Sequence, residues 1–319
     1  MEVKKMHKLA LVFAGQGSQY QKMGLDYIEA NPKFLEKELT ANKILGFDIR
    51  EVLESDDGRI NDTKYAQPLI LFSSILAFET FKTLKIVPDA VLGFSLGEYS
   101  ALYATNIFGF EDMMKIILKR SQLMQECALK KPGKMAAILG LSKDVVDDIC
   151  KVASRDGVVI SANYNSPIQI VISGENRAVI RAMELAKEMG AKRVVELNVS
   201  GAFHSPLMSE AAEAFYQFIR MIPYQEPTYP IYMNTTALPL ESNNLYHEMK
   251  RQIESPVYFE QSIKHMIENG ITHFIEIGPG KVLSGLIKKI DINCEVINLD
   301  KYDDFINLKG WLTEHGFTK

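Results

Sequence analysis

A serine framed by glycines, Gly93-Phe94-Ser95-Leu96-Gly97, follows the apolar run Ala90-Val91-Leu92 and precedes a helix-forming stretch, residues 98–104. A serine squeezed between a buried strand and a helix is driven into a strained backbone geometry with its hydroxyl exposed. Glycines two residues to either side leave that turn the room it needs. The main-chain N–H of Leu96, at the helix start, then points to where the oxygen of a carbonyl attacked by Ser95 would sit. These features describe a nucleophilic serine. The pentapeptide also occurs by chance in loops, so the strand before it and the helix after it are what favour chemistry.

A serine hydroxyl needs a neighbouring base at neutral pH. Folds with such an elbow usually carry their histidine late in the chain. The candidates are His7, His204, His247, His265, His273 and His315. His204 stands apart because Val199-Ser200-Gly201-Ala202-Phe203-His204-Ser205-Pro206 is a small-residue loop leaving a strand, the kind of segment that lines a cleft between domains. His273 opens an apolar strand and His265 falls in a helical pattern, so both read as structural. No aspartate occupies a compelling loop between Ser95 and His204, which points to a Ser–His pair without the usual carboxylate.

The elements that must position these residues alternate. An apolar strand at residues 10–13 runs into the turn Gly15-Gln16-Gly17-Ser18-Gln19, residues 63–84 read helical, and a strand at 273–277 runs into Gly278-Pro279-Gly280. Such alternation predicts an α/β core with a mainly parallel sheet and active residues at strand C-terminal ends. Between residues 133 and 200 the rhythm changes. Strands at 134–139, 158–161, 169–173 and 193–197 and helices at 143–153 and 176–189 give the β-α-β-β-α-β order of a ferredoxin-like unit. The expected organisation is a discontinuous large domain, residues 1–132 and 201–319, interrupted by a small one, residues 133–200. A terminal helix is expected around Phe305, Leu308 and Trp311.

Composition narrows the chemistry. A net charge of −4 with no basic stripe argues against nucleic-acid binding. No apolar run is long enough to cross a bilayer, and residues 1–8 are not followed by a signal-cleavage pattern, so no membrane partner and a cytoplasmic location are expected. The three cysteines, Cys127, Cys150 and Cys294, are scattered as small apolar side chains in a reducing compartment would be. Neither they nor the histidines show metal-ligand spacing. Side chains alone should carry the reaction.

Five motifs occur in one order: Phe13-Ala14-Gly15-Gln16-Gly17-Ser18-Gln19, the elbow with Gly97-Glu98-Tyr99-Ser100, Asn163-Tyr164-Asn165-Ser166-Pro167, Gly201-Ala202-Phe203-His204-Ser205, and Glu276-Ile277-Gly278-Pro279-Gly280. Over residues 8 to about 290 the chain resembles the malonyl-CoA:acyl-carrier-protein transacylases of fatty-acid synthesis and the related acyltransferase domains of polyketide synthases. The resemblance implies an α/β-hydrolase-like large domain with a ferredoxin-like insert. It also implies a ping-pong transfer of malonyl from malonyl-CoA to acyl carrier protein with no bound cofactor.

At matching positions, the resemblance makes Ser95 the acylated nucleophile and His204 its base. An oxygen of Gln252 receives the other ring proton, and the N–H groups of Gln16 and Leu96 form an oxyanion hole. By residue type alone Arg120 is a solvated helix arginine; the resemblance makes it the bidentate clamp for the malonyl carboxylate. Phe94 replaces the family's usual histidine and borders the acyl pocket, which bears on substrate selectivity. Phe203 leaves little space for a methyl branch. Asn165 is a candidate substrate contact, although it and Asn163 also read as loop hydrogen-bonders. Glu98 reads as a capping residue of the elbow helix. Lys281, Lys288 and Lys289 are candidates for meeting an acidic carrier protein. A polyketide acyltransferase, an acyl-thioester hydrolase and a silent carrier-binding module are the alternatives.

Overall fold

Strand β1 (Lys8–Phe13) is buried along all but its first residue, as a central parallel strand covered on both faces must be. It pairs in parallel with β2 (Ala90–Gly93) on one side and, from further along the chain, with Ile271–Ile277 on the other. The computed structural model describes residues 7–199, 201–241 and 243–318. Residues 1–6, read above for a leader, and Ser200, at the expected domain boundary and in the His204 loop, lie outside that set.

Between the two arms of the parallel sheet the chain builds a second sheet from β3 (Gly133–Leu139), β4 (Val159–Ser166), β5 (Gln169–Glu175) and β6 (Arg193–Glu196). It then returns to the first with β7 (Ile231–Tyr232), β8 (Ile271–Ile277) and β9 (Glu295–Leu299). The strand orders are β7-β2-β1-β8-β9, in which every pairing is parallel, and β4-β5-β3-β6, in which every pairing is antiparallel. With helices at Lys143–Ala153 and Asn176–Glu188, the second sheet has the ferredoxin-like connectivity. The whole is α/β, as expected.

Register brings the motifs together. Phe13 lies opposite both Gly93 and Ile277, so the three central strands end at one level. The loops that follow, residues 14–19, 94–96 and 278–281, therefore meet at one edge of the sheet, where open α/β sheets bind ligands. Beneath them runs the helix Thr63–Lys82, buried over most of its surface because its apolar residues do not segregate to one face. The terminal helix forms as Asp304–Glu314, with Phe305, Leu308 and Leu312 buried.

The second sheet is stitched to the first body by backbone. Val257 donates to the carbonyl of Ala162 at 2.8 Å and accepts from the N–H of Tyr164 at 2.9 Å. Tyr164 and Tyr258 stack with centroids 5.2 Å apart. Paired with β5 and bridged at Asn163 to Val257, β4 runs five residues past the 158–161 strand expected from its apolar run. Asn163 and Asn165 consequently sit on a strand and not in a loop. The signal was missed because the strand's outer half, Asn163-Tyr164-Asn165-Ser166, is polar and carries no apolar run.

Ile138 is fully buried among the residues packed between this sheet and its two helices. Ile138→Ala is expected to cost about 2–5 kcal/mol in urea unfolding. A loss under about 1 kcal/mol would mean that the site relaxes around the deletion.

Candidate active site

The elbow is built on two close approaches. A Cβ added at Gly93 would lie 1.9 Å from the carbonyl carbon of Gly97, and one at Gly97 would lie 2.1 Å from the Phe13 oxygen. Only glycine lets β2, the start of helix Gly97–Ala104 and the end of β1 pack this tightly. The intervening chain is forced into a left-handed bend, with φ 51° at Ser95, a conformation costing a non-glycine residue about 1–3 kcal/mol. Side-chain amides hold it. The Ser95 N–H donates to Oδ1 of Asn234 at 2.8 Å, and the Ser95 carbonyl accepts from Nε2 of Gln252 at 2.6 Å and from the Glu98 N–H at 3.0 Å.

His204 is a second left-handed residue, at φ 57°, pinned by its N–H to the carbonyl of Ile253 at 3.1 Å. Its Nε2 lies 2.7 Å from Oγ of Ser95, and its Nδ1 lies 2.8 Å from the main-chain oxygen of Gln252. A carbonyl only accepts, so Nδ1 carries the proton and the Nε2 lone pair faces the serine. The oxygen expected from Gln252 is thus its backbone one, which leaves its side chain free for other work. Burial, reinforced by the positive charge of Arg120, pushes the His204 pKa down to about 4. The imidazole is neutral at pH 7 and ready to accept a proton.

Arg120, on the helix Phe110–Lys130, is not a solvated surface residue: it is 1% exposed. Nη1 donates to Oε1 of Gln67 at 2.7 Å, and Nη2 donates to Oε1 of Gln252 at 2.9 Å. The ring of Tyr99 lies 4.9 Å below the guanidinium. No carboxylate is paired with it among the described residues, and its Nε reaches no acceptor there. A buried cation without a counter-ion is expensive, and an anion entering the cleft would offset that cost. Gln67, which the sequence did not single out, also donates to Oε1 of Gln16 at 3.4 Å.

Ser95, His204 and Arg120 border a single cleft of about 340 Å³, between the parallel sheet's edge and the second sheet. Gln16, Phe94, Phe203 and Asn165 line it too. Phe94 packs edge-on against Phe259 at 5.4 Å. Oδ1 of Asn165 is buried and has no partner among the described residues. Leu96 is buried behind the serine, and neither its N–H nor that of Gln16 donates to another group among the described residues. Glu98 does not cap its helix by its side chain; its carboxylate accepts from the Asn234 N–H at 2.7 Å. Glu276 accepts from the N–H groups of Leu283 and Ser284, fixing the helix Val282–Ile290 at the cleft mouth. Of the three lysines, Lys289 reaches Gln169 on the cleft rim at 3.3 Å. Asn234 lacked a sequence signal, since Met233-Asn234-Thr235 matches no catalytic pattern.

Such an arrangement has a base on a serine, free N–H groups beside it and an unpaired guanidinium in the same cleft. Chemically it suits acyl transfer from a substrate bearing a carboxylate. Comparison with known proteins agrees. Residues 10–291 match the family model described as the acyl transferase domain. The malonyl CoA-acyl carrier protein transacylase of Staphylococcus aureus is 41% identical over 96% of this chain and 99% of its own length. The crystal structure of the Streptococcus pneumoniae MCAT is 41% identical and superposes with a TM-score of 0.91, covering 96% of this chain and all of that one. A malonyl-transacylase solved in complex with a type II polyketide-synthase acyl-carrier protein is 32% identical with a TM-score of 0.90, covering 94% of this chain and 98% of its own.

The low His204 pKa sets a pH dependence. Single-turnover acylation is expected to lose rate only as the pH approaches about 4, not near the ordinary histidine value of 6.5. The same depression means that the unfolded chain takes up this proton first. Its contribution to stability is whole above pH 6.5 and is lost as the pH falls toward 4. An acid limb at pH 6–7 in rapid-quench acylation would show that the histidine is not held neutral by burial.

Proposed function

Because the chain belongs to the acyl transferase domain family, we propose that it moves malonyl groups from coenzyme A to the phosphopantetheine thiol of acyl carrier protein through an ester on Ser95. His204 removes the Ser95 proton as Oγ attacks the thioester carbonyl, and the negative charge moves onto the carbonyl oxygen between the N–H groups of Gln16 and Leu96. Collapse breaks the C–S bond, and the imidazolium returns its proton to the departing coenzyme A thiolate. The second half-reaction runs the same steps in reverse with the carrier thiol as nucleophile. Each oxyanion donor is worth about 3–4 kcal/mol in sites of this kind.

The observation that carries the reading is the 2.7 Å contact between Ser95 and a neutral His204 beside an unpaired buried guanidinium. Gln252 supports the histidine through a neutral oxygen, so no fixed negative charge opposes an incoming malonyl carboxylate. Arg120 is the clamp for that carboxylate, Phe203 disfavours a methyl branch, and Phe94 and Asn165 shape the acyl pocket. The reading calls for no bound cofactor, because side chains and main-chain N–H groups handle every proton and charge. It places the enzyme in fatty-acid synthesis in the cytoplasm; among the described residues, no helix is long and apolar enough to cross a membrane. Residues 1–132 and 201–319 act as one catalytic domain with residues 133–200 as an inserted subdomain. The cleft mouth, with Lys281, Lys288 and Lys289 nearby, receives the carrier.

Incubation with malonyl-CoA should add one malonyl mass to the intact protein and none to Ser95→Ala, with transfer to carrier protein outpacing free malonate. Dominant malonate release would make the enzyme a thioester hydrolase. Arg120→Ala should lower the ratio of malonyl to acetyl transfer about 30-fold or more, the loss of a charge-assisted pair worth about 2–5 kcal/mol. An unchanged ratio would remove Arg120 from substrate recognition.

A further inference from the structure

Asn234 has every polar group engaged, three of the four on the elbow around Ser95. Its Nδ2 donates to the Gly93 carbonyl at 2.6 Å, its Oδ1 accepts from the Ser95 N–H at 2.8 Å, and its own N–H donates to Oε2 of Glu98 at 2.7 Å. Its carbonyl accepts from the Tyr258 N–H at 2.8 Å. It is 1% exposed, and Glu98 is fully buried in the first turn of the elbow helix. The three contacts to the elbow fall before, at and after Ser95, the residue whose backbone is strained. Gln252 pins the peptide that follows Ser95, the one whose N–H belongs to Leu96, and Asn234 pins the peptide that precedes it.

We propose that Asn234, braced by Glu98, is a positioning residue that locks the left-handed Ser95 backbone so that Oγ meets His204 while the Leu96 N–H meets the oxyanion. Removing the amide leaves the Ser95 N–H without its acceptor and the Gly93 carbonyl without its donor. The bend then relaxes toward ordinary backbone geometry, and hydroxyl and oxyanion donor swing out of line together. Burial pushes the Glu98 carboxyl up to about 8, which fits an acceptor that works mainly as a neutral group at pH 7. The role rests on Ser95 being the acylated residue.

The test uses the full chain and two reagents. Rapid-quench intact-mass measurement follows malonyl-CoA acylation, and a fluorophosphonate reports Ser95 reactivity without calling on Arg120. Asn234→Ala is expected to slow both reactions about 100-fold, the penalty of a misplaced reacting group, while KM for malonyl-CoA changes by less than about threefold. Should that variant not fold, Glu98→Ala and Glu98→Gln give the same comparison. Alanine should slow both reactions, and glutamine, which keeps an acceptor for the Asn234 N–H, should restore most of the lost rate. Folded variants that label at the wild-type rate would overturn the brace alone. A merely structural residue would lower melting temperature or active fraction and leave the rate of the active fraction unchanged, and that result too would overturn it. Wild-type protein that reacts at Ser95 with the fluorophosphonate but not with malonyl-CoA would overturn the malonyl reading and leave the brace standing. Labelling by neither reagent would overturn both.

Discussion

Three backbones meet at a distance that only glycine permits, and the rest of the site follows from that contact. With Cβ atoms absent at Gly93 and Gly97, β2 runs directly into a helix that presses on the end of β1. Three residues of chain must reverse direction in that space, and the reversal drives Ser95 into the left-handed region. The strain is held by hydrogen bonds from parts of the chain over a hundred residues away, Asn234 and Gln252. A hydroxyl presented this way projects from the sheet edge into the cleft, and the N–H of Leu96, just before the helix, has no acceptor among the described residues.

Around that hydroxyl the protein arranges charge with few ions. Arg120 is buried between two glutamine oxygens and an aromatic face, partners that orient a guanidinium without neutralising it. The dry surroundings, reinforced by its field, keep His204 deprotonated. A carboxylate behind the histidine, in place of the Gln252 carbonyl, would raise the imidazole pKa and oppose an anionic acyl group. Neutral amides perform the support role instead. One continuous hydrogen-bonded chain, from Gln16 through Gln67, the Arg120 guanidinium and Gln252 to the Ser95 carbonyl, runs along the cleft. Gln252 is the junction: its main chain holds the histidine while its side chain touches both the arginine and the Ser95 peptide.

The second sheet supplies the opposite wall. Its attachment through Val257 to β4 makes a polar strand edge into part of the cleft, and Asn165 arrives there on rigid structure rather than on a loop. Precise placement of a side chain at a cleft favours such elements over mobile segments.

Local pattern was enough to locate the elbow, the alternation of strands and helices, and the ferredoxin-like order, because each of these is written in hydrophobic period and glycine spacing over short windows. The pairing of a serine and a histidine was also legible, as was the unusual lack of an aspartate. What the sequence could not specify is which groups converge from distant segments without a period or motif of their own. Burial of Arg120 depends on helix Phe110–Lys130 turning that face inward, and by residue type a helix arginine reads as solvated. Gln67, Asn234 and the inward-facing Glu98 act through single long-range hydrogen bonds, whose partners are set only when strand register brings three loop ends to one level. The chain alone determined what kinds of chemistry were on hand; tertiary packing decided which side chains share a dry cleft, since burial and hydrogen-bond geometry are properties of the assembled sheet edge and of no local stretch.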